Sequence, residues 1–123
     1  MKTKTAKLGG VALDWAVAES VGADAYLTIE KRPGAAFQLT MGYVDGCPNL
    51  YSPSTDWAHC GPLIERHNVE LVCDDHDLWT AIYDGPACSL DYTGMGDSPM
   101  PAACRAIVAA KLGNEVDVPE GLV

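Results

Sequence analysis

The stretch SPMPAACRAIVAAKLGNE, residues 98–115, constrains the fold of this 123-residue chain more than any other. It reads as one helix closed at both ends. Ser98 stands at the N-cap, Pro99 and Pro101 fall in the first turn where a missing N–H costs nothing, Lys111 lies near the end and Gly113 follows as a C-cap. Met100, Cys104, Ile107 and Val108 recur on one face, and the alanines among them permit close approach of another backbone. A helix with that surface is built to lie on a sheet, and the rest of the chain offers the strands.

DAYLTIEKR (24–32) and AAFQLTMGYV (35–44) are rich in β-branched and aromatic residues and are separated by Pro33-Gly34, which predicts a hairpin. VELVCDD (69–75) and DLWTAIYDG (77–85) predict a second one, joined across Asp74, Asp75, His76 and Asp77. DGCPN (45–49) breaks the strand pattern, PLIERHN (62–68) is expected to be helical with Pro62 in its first turn, and Pro86 to Asp97, with Gly94 and Gly96, suggests a mobile loop. The tail NEVDVPEGLV is expected to add a short edge strand limited by Pro119. Near the start, LGGVALDWAVAESVG (8–22) is a helix with Gly22 as its stop, apolar nearly all round apart from Asp14, Glu19 and Ser20. Such a helix is either sandwiched in the core or shared with a second copy, so a homo-oligomer is expected. The order helix, hairpin, helix, hairpin, helix argues for one small α+β domain over residues 1–123. Its antiparallel sheet of two hairpins would pack with about three helices as a layered αβ sandwich.

Eight Lys and Arg against seventeen Asp and Glu leave a formal net charge of −9, which repels phosphate backbones and anionic membrane surfaces. Direct nucleic-acid binding is therefore not expected. Five cysteines form no CxxC pair, the start MKTKTAKLGG has no apolar signal core, and no apolar run approaches the ~20 residues of a membrane span. The expectation is reduced thiols, no membrane contact and a cytoplasmic location.

The chemistry concentrates in NLYSPSTDWAHCGP (49–62). Ser54, Thr55 and Asp56 are all good N-cap residues, and a single helix needs only one. The surplus hydroxyls, with Tyr51 and Trp57 as aromatic faces, suit a phosphate and a base or sugar ring. His59 and Cys60 are adjacent, so their side chains diverge and make a poor base and nucleophile. His59, His67, Cys73 and His76 lack the close spacing of metal ligands, and DDHD (74–77) lacks the Gly and distal Glu of a calcium loop. No metal and no cofactor are expected. Arg105 either faces solvent, pairs with an acid, or clamps a carboxylate or phosphate; a position on a helix face does not separate these. Trp15 and Trp79 suit the core better than a ligand.

ALDWAVA (12–18), SPSTDWAHCGPLIER (52–66), a lone Trp79, PMPAACRAIVAAKLG (99–113) and EVDVP (115–119) together resemble the NinX-like family of small phage proteins, itself similar to the phage ABA sandwich domain. The resemblance runs in order from the first helix to the tail and covers residues 24–44 least. It departs at His59-Cys60, where a Gln-Gly pair would be expected. It implies a phage or prophage accessory protein acting in the cytoplasm of a bacterial host, and singles out Ser54, Thr55, Asp56, Trp57, Gly61, Pro62, Trp79 and Arg105. It supplies no mechanism.

Three functions follow as expectations. The first is a non-catalytic binder that sequesters a nucleotide-type host immune signal, with Tyr51, Ser54, Thr55, Asp56, Trp57, Trp79 and Arg105 as ligand-binding residues. The second is an acidic interaction protein that inhibits a host factor. The third is a nucleotide hydrolase with Asp56 or His59 as base.

Overall fold

In the computed structural model, residues 2–23, 27–31, 37–74, 76–83, 92–119 and 122 are described. The chain is a small α+β domain whose strands form three separate antiparallel sheets instead of the expected single one. Strand β1 (Lys2–Lys4) and a 3-10 turn (Thr5–Lys7) lead into helix α1 (Gly10–Val21); strands β2 (Thr28–Lys31), β3 (Phe37–Val44) and β4 (Cys47–Leu50) follow. Helix α2 (Trp57–Arg66) comes next, then β5 (Val69–Cys73), β6 (Trp79–Tyr83) and β7 (Tyr92–Gly96), helix α3 (Pro99–Leu112) and β8 (Glu115–Asp117).

Both predicted hairpins form. β2 pairs with β3 from Thr28↔Thr40 to Lys31↔Phe37; the Pro33-Gly34 turn between them lies outside the described residues. β5 pairs with β6 from Val69↔Tyr83 to Cys73↔Trp79. After β5 the chain turns at Asp74, whose Oδ1 accepts from the backbone N–H groups of His76 (2.8 Å) and Leu78 (2.9 Å). That is the backbone use of Asp expected at a turn.

Each hairpin gains a third strand that the sequence reading missed. β4 returns along β3 through Asp45-Gly46, whose φ angles of 52° and 80° are those a two-residue I′ turn requires. Pro48 is tolerated there because β4 is an edge strand. β7 occupies part of the expected mobile loop, and residues 86–91 of that loop lie outside the described residues. Its buried Gly94 and Gly96 serve contact, not mobility. A Cβ on Gly94 would run into the carbonyl oxygen of Ala102 and the nitrogen of Ala106, so α3 lies backbone to backbone on β7. The alanine face read from the sequence is the other half of this fit: Ala102, Ala103, Ala106 and Ala109 are all buried.

β8 is the expected tail strand, and its partner is β1, in the register Lys2↔Asp117, Thr3↔Val116, Lys4↔Glu115. Thr5 is pinned to the end of α3, its N–H donating to Asn114 O (2.8 Å) and its hydroxyl to Gly113 O (2.6 Å).

The core gathers α1, α3 and the inner face of β5-β6-β7. Leu13, Ala16, Val17, Cys104, Ile107 and Val108 are fully buried. α1 ends, as expected, at Gly22 in the left-handed conformation (φ 77°). It packs on α3 and on β3, so its two-sided apolarity is satisfied within one chain and gives no argument for a second copy. α2 begins at Trp57, five residues before the expected Pro62, which sits in the helix interior.

Candidate functional site

The turn before α2 is built from its own backbone. Ser52 O accepts from Thr55 N (3.1 Å) and Asp56 N (2.8 Å), and Asp56 O accepts from His59 N (3.1 Å) and Cys60 N (3.0 Å). Asp56 is the N-cap: it has extended backbone, and its Oδ1 accepts from Ala58 N at 2.9 Å. The first turn of α2 is thus largely satisfied from within, which leaves it less able to hold a phosphate than a bare helix start. His59 folds back, accepts a hydrogen bond from Ser52 N at Nδ1 (3.1 Å) and stacks on Tyr51 with ring centroids 5.5 Å apart. Its Nδ1 is committed to Ser52, and Asp56 Oδ2 stands 3.8 Å from it. In that role the imidazole ties the two ends of the turn together.

The turn is anchored from beneath by a residue the sequence reading passed over. Asp14, on α1 and only 5% exposed, accepts from Ser54 N at 2.8 Å across 40 residues of sequence. Burial pushes the Asp14 carboxyl above its ordinary value, while the Ser54 bond and the field of His59 pull it back. Ser54 is itself buried; its Oγ helps hold the carboxyl down but makes no hydrogen bond of good geometry among the described residues. The signal was present in the sequence as a lone acid within Ala12-Leu13-Asp14-Trp15-Ala16, since an acid on a helix that is apolar all round needs a buried donor.

Around this anchor lie the groups whose titration the core controls. Burial first, then the fields of Cys104, Asp14 and Cys60, push the Tyr51 phenol up to about 12. Cys60 and Cys104 are fully buried and free, and Cys104 is held well above the usual thiol range by its hydrogen bond to Cys60 and by burial. Neither thiol is reachable from solvent, and both act as core residues.

The seven residues singled out from the sequence therefore divide. Tyr51, Ser54, Thr55, Asp56 and Trp57 share one turn, in which Tyr51 carries His59, Ser54 docks on Asp14 and Asp56 caps. Thr55 is exposed, and the Trp57 indole is 50% exposed at the start of α2. Trp79 is half-buried on β6 and packs against the core. Arg105 points elsewhere, its Nε donating to Leu8 O (2.9 Å) and its Nη1 to Met95 O. Neither Trp79 nor Arg105 shares a hydrogen bond with the turn among the described residues.

Two clefts measure about 130 Å³, beside Trp15, Leu27 and Leu39, and about 200 Å³, beside Arg105. Both fall below the roughly 300–1,000 Å³ of drug-sized ligand sites, and neither includes the turn. Thr55, Asp56 and Trp57 are exposed on the surface of the turn. Among the described residues no three of His, Cys, Asp and Glu gather so as to hold a metal ion, and no helix is long and apolar enough to cross a membrane.

Comparison with the curated proteins finds no match. The family model described as "Bacteriophage P22, NinX" matches residues 4–111, a span that runs from β1 through α1, the anchored turn and the whole β5-β6-β7 sheet to the last turn of α3, and the chain belongs to that family.

Proposed function

We propose that this phage-family chain is a non-catalytic binder of a small nucleotide-type host molecule, presented on the surface of the turn that Asp14 anchors. One observation carries the reading: Trp57, a large flat indole, is held half in solvent at a fixed position. A helix cap directly precedes it, and a buried carboxylate braces the turn below. A preorganised aromatic face suits stacking of a base. Beside it, the Thr55 hydroxyl and the Asp56 Oδ2, which the helix cap does not use, would accept from sugar hydroxyls or exocyclic amines. A homo-oligomer belongs to this proposal as the means of covering a surface that one chain leaves open. Action inside a bacterial host, sequestering an immune signal, belongs to the same proposal and is supported by membership of a phage family.

A second reading, an acidic inhibitor of a host protein, is favoured by the exposure of Val44, Leu50, Trp57, Val72 and Met95 on a chain of net charge −9. The two separate in one experiment. The full-length protein is incubated with nucleotide second messengers, desalted, denatured and the released nucleotide chromatographed. Sequestration returns the nucleotide unchanged and stoichiometric. Conversion to product would establish a hydrolase instead, and no retention of any of them would overturn the reading.

A further inference from the structure

Arg105 stands apart from the anchored turn. Its guanidinium spends one donor on Leu8 O and one on Met95 O, which fixes the plane of the group between the start of α1 and β7. A guanidinium has five donors. The fold makes room for the rest. Nη2 lies against Gly9, 3.9 Å from where a Cβ would stand, and a Cβ on Gly96 would come within 2.8 Å of Nη1. Among the described residues no carboxylate pairs with Arg105, although acids outnumber bases seventeen to eight.

The guanidinium borders the larger cleft, about 200 Å³, with Thr5, Thr93, Met95, Ala109 and Asn114 also in its wall and no acid among the lining residues. The Thr5 hydroxyl is committed to Gly113 O, which leaves the Asn114 amide as a further side-chain donor; Thr93 alternates with Gly94, which faces α3, so its side chain stands on the other face of β7 and only its backbone borders the cleft. A rigid cation with no carboxylate partner among the described residues, a neutral donor and a small volume match a compact oxoanion and exclude a whole nucleotide.

We infer that this cleft is an oxoanion site for a phosphate-type group, with Arg105 as its charged anchor and the Asn114 amide as a second donor. The group would be either free phosphate or the terminal phosphate of a larger molecule. The site is independent of the Trp57 surface and stands or falls without it.

The test uses the full-length protein and inorganic phosphate against chloride at matched ionic strength, read by thermal unfolding and by nitrogen-edited NMR of the Arg105 Nε and Asn114 amide signals. Phosphate should raise Tm saturably and shift both signals. Asn114→Asp keeps the backbone carbonyl that Thr5 uses but places a carboxylate in the wall, and should weaken phosphate binding by about tenfold or more. Asn114→Ala, which removes the donor without adding a charge, serves the same purpose should Asn114→Asp not fold. Trp57→Ala should leave the phosphate response unchanged. An equal response in wild type and both wall variants, as from a general salt effect on stability, would overturn the site, and so would the absence of any saturable response. A phosphomonoester that binds about tenfold tighter than inorganic phosphate would identify the terminal group of a larger molecule as the occupant; equal binding would identify the free ion.

Discussion

Replacing Asp14 tests whether the turn before α2 is held from the core. Asp14→Ala removes the acceptor of the buried Ser54 N–H. An orphaned buried donor costs about 1–3 kcal/mol. For a domain of this length each kcal/mol moves Tm by roughly 4 °C, so a fall of roughly 4–12 °C is expected at pH 7. Asp14→Asn keeps an acceptor in the same place and removes the buried charge. Its Tm at pH 7 should lie within about 2 °C of wild type or above it, because replacing a buried ion by a neutral isostere relieves desolvation.

The pH dependence gives an independent check. Burial raises the folded-state pKa of Asp14 above its ordinary value of 3.8, so just above that pH the native state holds a proton that the unfolded chain has released. The contribution of Asp14 to stability is therefore largest below pH 3.8 and declines as pH rises through the folded-state value. Differential scanning calorimetry of wild type and Asp14→Asn from pH 3 to pH 7 isolates it, since all other groups are common to both. The Tm of Asp14→Asn should gain on wild type as pH rises. If Asp14→Asn loses as much stability as Asp14→Ala at pH 7, or the difference does not change with pH, the anchor does not work as described.

Other perturbations follow from the same contacts. Gly94→Ala places a methyl against the backbone of α3 and should cost about 3 kcal/mol or more in chemical denaturation. Gly61→Ala, in the interior of α2 with open space around it, should raise stability by about 0.5–1 kcal/mol in the same assay. The Tyr51 phenol, pushed up to about 12, stays protonated in the fold where the unfolded phenol ionises near 10. Stability should thus fall as pH rises from 10 toward 12, and Tyr51→Phe should flatten that slope in denaturation midpoints. Trp57→Ala, at a half-exposed position, should change stability by less than about 1 kcal/mol by the same measurement while removing nucleotide binding.

The elements whose local chemistry and long-range role agree were legible in the sequence. α1 and α3 carry their own stops, and the turns at Asp74 and Gly113 use residues that turn the chain for local reasons. Where a distant partner set the role of a residue, the reading failed. Gly94 and Gly96 resemble loop glycines until α3 is laid over them, and Pro62 resembles a helix start until Asp56 caps an earlier turn. Pro48 obscured β4 even though the Asp45-Gly46 dipeptide marks its hairpin. In the candidate site, residue type narrowed the cap to Ser54, Thr55 or Asp56 without choosing among them. The docking of Ser54 could not be read from the sequence, because its partner Asp14 lies 40 residues away. Arg105 escaped for the same reason, its two carbonyl acceptors being 97 and 10 residues away in sequence.

The central claim, a nucleotide surface at Trp57, meets its most direct test in isothermal titration of the purified protein with a panel of nucleotide second messengers, run in parallel on wild type and Trp57→Ala. The proposal predicts saturable heat with at least one of them in wild type and its loss in a Trp57→Ala protein of unchanged fold. Heat that persists undiminished in Trp57→Ala, or none in wild type across the panel, would contradict it.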